Sequence, residues 1–317
     1  MTGKAASRRI IPTQMALGER SSNPLRPRST AEAACALRAA GALEADPAVR
    51  CPDDMAADFL GGFNVTALAK HWMTRRLWVR GVDRRLPGGY TYEIARAKLI
   101  DEVVLDVADR GLDELILLGA GLDSRAYRLS AQLGDVRAFE LDHPASLESK
   151  RVRLRKLLGR EPDRVRFVPI DFNSDDLDAT LAASGHERSA RILVVWSGVS
   201  MYLAEEGVAS VLSWIASHQD PPASVVFDAV WAGAIDGSRE YFGAAELRRR
   251  VAEIEEPLRW GLPEGRAEET LDGFGLQVER IVDAETLRAA YLRRSDGSLH
   301  DEPYGFGVLV HARARER

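Results

Sequence analysis

The rhythm of apolar positions changes near residue 113. Before it, apolar residues recur at helical spacing. Ala33, Ala34, Leu37 and Ala40 follow Thr30, a residue type that caps helices, and Gly41 stands where that helix would end. Further helical pieces are predicted over 52–60 and 65–79. RRLPGGY (84–90) interrupts them with a proline and two glycines. Ile100, Val103, Val104 and Val107 then fall at i, i+3, i+4 and i+7, the apolar face of another helix. Beyond residue 113, short apolar runs alternate with helical patterns. The runs span 114–121, 136–142, 165–171, 191–197, 224–230, 276–282 and 304–312. Val208, Val211, Leu212 and Ile215 mark one intervening helix, and Leu147, Leu154 and Leu158 another. Such alternation predicts an α/β fold with a mostly parallel sheet covered on both faces, the last two runs pairing antiparallel at one edge. Residues 232–273 are too long for a simple connection and read as a lid-like insertion over the active site. Residues 1–28, with Pro12, Pro24 and Pro27 and little apolar pattern, read as a flexible tail.

Composition narrows the function. The chain has 317 residues, 45% of them hydrophobic, enough for one large domain or two small ones. A formal net charge of −5 speaks against a general nucleic-acid binder. Eight basic residues lie between 150 and 166, and a solvated helix face explains them better than RNA contact. Cys35 and Cys51 are too few for a disulfide framework or a metal-binding cluster, and no histidine pair has metal-ligand spacing. No stretch reaches the roughly 18 apolar residues of a membrane span. A cytoplasmic protein with no membrane contact is expected.

The chemistry gathers at the ends of the apolar runs. ELILLGAGLDSRAYRL (114–129) is a strand, a glycine turn and a helix, the setting for an adenosyl cofactor. Gly119 and Gly121 match the first two glycines of a dinucleotide fingerprint, but Ser124 stands at the third, which weighs against NAD. A plain tight turn is the competing reading. FELDHP offers Glu140 and Asp142. Asp142 lies about 20 residues past the first glycine, where a carboxylate can take ribose hydroxyls, and this alone does not separate NAD from S-adenosylmethionine. Asp171 and Phe172 close the next run; an acidic and an apolar residue there can receive an adenine amino group and pack on its ring. The alternative is a helix beginning at Asn173 or Ser174.

LLGAGLDSRAYRL, FELDHP, VPIDF and VVWSGVSMYLAEEGV, with STAEAACALRAA (29–40), EIARAKLID (93–101) and EPLRWGLPEG (256–265), resemble in order and spacing the leucine carboxyl methyltransferase-like family of S-adenosylmethionine-dependent O-methyltransferases. The resemblance runs from about residue 29 to 311. It implies a class I methyltransferase, Rossmann-like fold: a seven-stranded sheet whose last strand is antiparallel, with an N-terminal helical cap over 29–88 and a core over 89–317. It implies S-adenosyl-L-methionine as cofactor, with Arg96 pairing to the carboxylate of its methionine part, Gly119 and Gly121 giving it room, Asp142 on the ribose, and Asp171 and Phe172 flanking the adenine. One position departs. Where the family carries a glutamate that helps hold the amino end of the cofactor, this chain has Ser197. A serine brings a hydroxyl and no charge. That weakens affinity, shifts the work to a backbone carbonyl, or marks an inactive member; the intact remaining motifs favour a working enzyme.

Methyl transfer needs placement more than proton chemistry. A carboxylate acceptor is already ionised at neutral pH, whereas a phenol gains from a base. The expected reaction is therefore methyl transfer to a small molecule, first a carboxylate and otherwise a hydroxyl. An NAD-linked oxidoreductase and a non-catalytic cofactor-binding protein are the readings of other classes. No catalytic residue is assigned; Tyr202 and His143 are candidates for placement, with a helix start the plainer reading of His143. Tyr90, Tyr92, Tyr202 and Trp231 are candidate substrate-pocket residues, each equally readable as core or cap packing.

Overall fold

The strand-forming runs assemble as their burial demands. The computed structural model describes residues 30–60, 71–172, 174–254 and 257–316. The predicted tail, the first part of the helix expected over 65–79, and Asn173 lie outside them. Seven strands form one sheet: β1 (Glu114–Leu118), β2 (Arg137–Asp142), β3 (Val165–Pro169), β4 (Ile192–Trp196), β5 (Ser224–Val230), β6 (Leu276–Asp283) and β7 (Gly307–Ala314). Their order is β3-β2-β1-β4-β5-β7-β6. The first five are parallel, and β7 lies antiparallel between β5 and β6. This is the expected seven-stranded sheet with its antiparallel last strand.

Alternation along each strand sorts its side chains onto two faces. Leu115, Leu117, Leu193, Val195, Val226 and Leu309 share one core with the N-terminal helices α1 (Thr30–Gly41), α2 (Ala56–Phe59) and α4 (Gly89–Asp109). Ile116, Leu118, Val194, Trp196, Phe227 and Val310 share the other, with apolar residues of helices after β3, β4 and the long insertion. The central β1 and β4 are buried throughout, while β3 and β6, at the two edges of the sheet, are buried at some positions only. Among the described residues, no helix is long and apolar enough to cross a membrane.

Several boundaries differ from the sequence reading. Thr30 is itself helical in α1, and Gly41 ends it as expected. The piece expected over 52–60 is the single turn of α2, and α3 runs Trp72–Asp83. The helix after β3 does not begin at Ser174. It begins at Leu177, capped by Asp176, whose carboxylate accepts from Ala179 N at 2.9 Å. The preceding residues form a turn of their own, closed by Asp171 N donating to Asp175 at 2.8 Å. The last strand starts at Gly307, not 304, because Tyr304 and Phe306 stack face to face, ring centres 4.1 Å apart, ahead of it. The 232–273 stretch folds as three helices, α10 (Ala232–Asp236), α11 (Ala244–Ile254) and α12 (Ala267–Gly273). Backbone bonds pin its middle to the sheet end: Arg259 N to Met201 O (2.8 Å) and Leu262 N to Val230 O (2.8 Å).

Candidate active site

β1 and β4 are neighbours, but the chain leaves them in opposite directions across the sheet. That divergence opens a crevice at their carboxyl ends, the usual ligand position in such sheets. Two glycine turns line it. Gly119 has φ +66°, and a Cβ there would lie 2.4 Å from the Val199 side chain. The turn after β1 and the turn after β4 therefore touch, and only glycine fits between them. Asp142, at the end of β2, holds the first turn: its carboxylate accepts from Gly121 N and from His143 N, each at 2.7 Å. A carboxylate offers about four acceptor positions, so Asp142 retains capacity for further donors.

Arg96, from α4, comes up beneath the second turn. Its Nη1 donates to Asp228 at 2.7 Å, and its Nη2 donates to both oxygens of Glu93 at 2.6 and 2.7 Å. Burial alone would lower the Arg96 pKa; Glu93 and Asp228 outweigh it and hold the guanidinium charged. Asp228 also accepts from Gly198 N at 2.5 Å, and Gly198 sits at φ +73° with space for a Cβ only 3.2 Å from Arg96 Nη1. Tyr92, one helical turn before Arg96, stacks on Tyr304 with ring centres 3.9 Å apart. Gly307 makes room for that pair, since a Cβ there would lie 2.4 Å from Tyr92. Burial raises both phenols well above their ordinary range.

A second polar cluster ties the N-terminal helices to the first turn. Arg38 of α1 donates to Asp53 (2.8 Å) and to the Leu122 carbonyl (2.9 Å). The Ser124 hydroxyl donates to Asp53 (2.6 Å) and accepts from Arg128 (3.0 Å). Asp101 of α4 receives Arg125 at 2.8 Å and Arg128 at 2.5 and 2.6 Å, while Arg125 also pairs with Asp123. Burial pushes the Asp123 carboxyl up, but Arg125, Lys150 and Arg38 outweigh it and hold it well below the carboxylate range.

The predicted residues separate into groups. Arg96, Gly119, Gly121, Asp142 and Ser197 converge on the crevice, Ser197 half-buried between β4 and Gly198. Asp171, exposed, and Phe172, half-buried against the Trp196 side of the core, lie past β3, next to Asp142 across the sheet. Tyr202 is half-buried with Tyr241, Leu247 and Leu258 of the 232–273 stretch. Tyr92 lies beside Arg96, its ring 5.9 Å from the guanidinium. Tyr90 does not join them: its hydroxyl donates to Glu44 at 2.6 Å below α1. Trp231 is buried in the sheet core, its backbone N bonded to Phe306 O. His143 is exposed and caps the helix Pro144–Leu158 (α7), accepting from Ala145 N at 3.3 Å. Glu140 is fully buried, 2.8 Å from Lys150 Nζ, which leaves Asp142 as the acid facing the turn. Both cysteines are free and buried, their thiols pushed up to about 12 by burial.

Much of the basic run from 150 to 166 is paired within the chain: Arg151 and Arg155 with Glu148 and Glu161, Arg153 with Glu32, Arg160 with Asp163 and Arg164 with Asp135. Sequence reasoning missed Glu93, Asp228, Asp53 and Arg38. Glu93 and Arg96 stand i, i+3 in EIARAKLID, and Asp228 is an acid inside the apolar run SVVFDAV, a position where charge survives only when paired. Asp53 and Arg38 carry no such signal, because their partners are distant in sequence.

Two outcomes test this clamp. Asp101→Asn, which leaves Arg125 and Arg128 short of a buried counter-charge, lowers unfolding stability by about 3–5 kcal/mol in urea titrations. Because the Asp123 pKa is depressed in the fold, its contribution is present above the unfolded carboxylate value of about 4 and is lost as pH falls through the folded value. Asp123→Asn therefore flattens the acid limb of the stability profile below about pH 4, measured by the same titrations across pH.

Relatives of this chain identify its family. The family model described as leucine carboxyl methyltransferase matches residues 31–216. A relative from Mycolicibacterium smegmatis, provisionally named an S-adenosyl-L-methionine-dependent methyltransferase, is 32% identical over 207 residues, 63% of this chain and 67% of its own length. A similarly named Bacillus subtilis protein is 32% identical over 135 residues, 43% of this chain and 44% of its own length. A solved structure from Thermobifida fusca, provisionally titled a methyltransferase, shares the fold at a TM-score of 0.53 with 15% identity, over 84% of this chain and 95% of that one. These matches set the NAD-linked reading aside and make S-adenosylmethionine the cofactor. The chain belongs to the leucine carboxyl methyltransferase family and is an S-adenosylmethionine-dependent methyltransferase.

Proposed function

We propose that this chain transfers a methyl group to an oxygen of a small molecule, first of all a carboxylate. The observation that carries this is the character of the ionisable groups beside the crevice. Glu93 and Asp228 are committed to Arg96. Tyr92 and Tyr304 have pKa values raised by burial. His143, the candidate on the β2 side, uses its Nδ1 to cap a helix. These groups are engaged in placing and polarising. An acceptor that arrives already ionised suits such a site. The family's own name points to a carboxyl acceptor.

The residues fit the cofactor. Gly119, at φ +66° and packed on Val199, leaves no room for a Cβ, Gly121 at φ +42° continues the turn, and Asp142 presents a carboxylate at its edge. Asp142 then takes the ribose hydroxyls, Asp171 and Phe172 flank the adenine, Arg96 faces the carboxylate of the methionine part, and Ser197 lies beside its amino end. When bound, S-adenosylmethionine would supply an electrophilic methyl on a sulfonium, with S-adenosylhomocysteine as the leaving group. The protein's part is alignment and the exclusion of water. The helices of 29–88 cover the cofactor in this reading. The 232–273 insertion, pinned at Met201 and Val230, closes over the acceptor beside Tyr202.

Acceptor chemistry is read directly from the product. Incubation with methyl-labelled cofactor and panels of carboxylic acids and phenols yields an ester whose label is released as methanol by mild alkali; an alkali-stable ether as the main product defeats the carboxylate reading. With a carboxylate acceptor, kcat/KM stays level between about pH 6 and 9, since the acceptor titrates near 4; a tenfold rise per pH unit points to a phenol. Asp142→Ala weakens S-adenosylhomocysteine binding by about 1.5–3 kcal/mol, the worth of hydrogen bonds to a charged group, and calorimetry showing no change removes Asp142 from the ribose.

A further inference from the structure

Position 197 lacks the acid that the family carries, yet the crevice does not lack charge. We propose that Asp228 is the positioning residue that compensates for Ser197: acting through Arg96 and Gly198, it fixes the charge balance and shape of the pocket for the amino-acid end of S-adenosylmethionine. The inference rests on the reading that Arg96 faces the carboxylate of that end.

Asp228 is fully buried in β5. An apolar residue would serve the fold better there, because an ionised carboxylate in the interior is costly unless its partners are well placed. Its partners are both crevice elements. One oxygen binds Arg96 Nη1 at 2.7 Å, and the other accepts from Gly198 N at 2.5 Å, the residue next to Ser197. Its backbone carbonyl accepts from the Ser200 hydroxyl at 2.6 Å, anchoring the same turn from its far side. Asp228 therefore determines where the turn after β4 stands relative to the guanidinium.

The charge count adds a second argument. Glu93 and Asp228 bring two negative charges to one guanidinium; Arg38 is the next cation, 3.7 Å from Glu93. Beside Gly198 the surplus is negative, and in a weakly screened interior it favours the nearby ammonium and sulfonium of the cofactor. A carboxylate one strand away thus supplies the field that a serine at 197 does not.

The test separates the amino-acid end from the nucleoside. S-adenosylhomocysteine carries the amino and carboxyl groups; methylthioadenosine carries neither. Asp228→Asn keeps the side-chain volume and an acceptor for Gly198 and removes the charge. By calorimetry it weakens S-adenosylhomocysteine by about 10- to 100-fold and leaves methylthioadenosine within about threefold, which also reports an intact fold. Ser197→Ala costs S-adenosylhomocysteine less than Asp228→Asn does. Equal loss for both ligands in Asp228→Asn, no loss for either, or a larger selective loss in Ser197→Ala overturns the proposal. Arg96→Met isolates the underlying reading: selective loss of S-adenosylhomocysteine there, with none in Asp228→Asn, defeats the role of Asp228 alone, whereas no selective loss in Arg96→Met defeats the reading beneath it.

Discussion

A guanidinium taken out of water must meet carboxylates in good geometry, and this requirement organises the cofactor end of the molecule. Arg38, Arg125 and Arg128 are almost wholly buried, and Asp53, Asp101 and Asp123 answer them. The three arginines belong to α1 and to the segment after the glycine turn; the acids belong to the loop before α2, to α4 and to the turn itself. Pairing them fixes four pieces of chain at once. Removing one partner leaves a charge that neither water nor apolar packing can satisfy, so the pieces hold or release together. The glycine turn owes its shape to this network as much as to its glycines. Ser124 is part of it, its hydroxyl shared between Asp53 and Arg128. The serine that spoils a dinucleotide fingerprint is thus a structural member of a different loop.

The same rule shapes the crevice from the other side. Arg96 rises between Glu93 and Asp228, and the turn after β4 is hung on Asp228 through Gly198. Both crevice turns are therefore positioned by buried ion pairs rooted in α4, one through Asp101 and the other through Arg96. Residues 93 to 101 act as a rail along one side of the crevice. A helix with 3.6 residues per turn can present Tyr92, Glu93 and Arg96 to the crevice while Ile94 and Ile100 bury in the core. Chemistry and packing share one element without competing for positions.

Surface charge follows another logic. Arg151, Arg153 and Arg155 of α7 meet Glu148, Glu161 and Glu32, so much of the charge on the solvated basic face is answered locally. Lys150 goes further and enters the core to pair with Glu140 under the first turn. A list of charges along the chain does not distinguish a field offered to a partner from one cancelled by neighbours.

What the sequence determined was local or periodic. Short apolar runs alternating with helical patterns specified seven strands in a mostly parallel sheet covered on both faces. LGAGLD marked its own turn, since two glycines after a buried strand have few other uses, and ELDHP placed an acid at the neighbouring strand end. Gly41 ended α1 where a Cβ would collide with Ile94 and Cys51, and the break at 84–90 holds Gly88 at φ +76° just before α4. Only the tertiary structure decided which charges meet. Asp228 finds Arg96 across 132 positions, and Asp53 finds Ser124 across 71. Tyr90 and Tyr92, two residues apart, turn to opposite surroundings, one to Glu44 and one to Tyr304. A side chain's partner in the interior is set by how strands and helices stack, and the pattern along one segment holds no record of the distant segment that will face it.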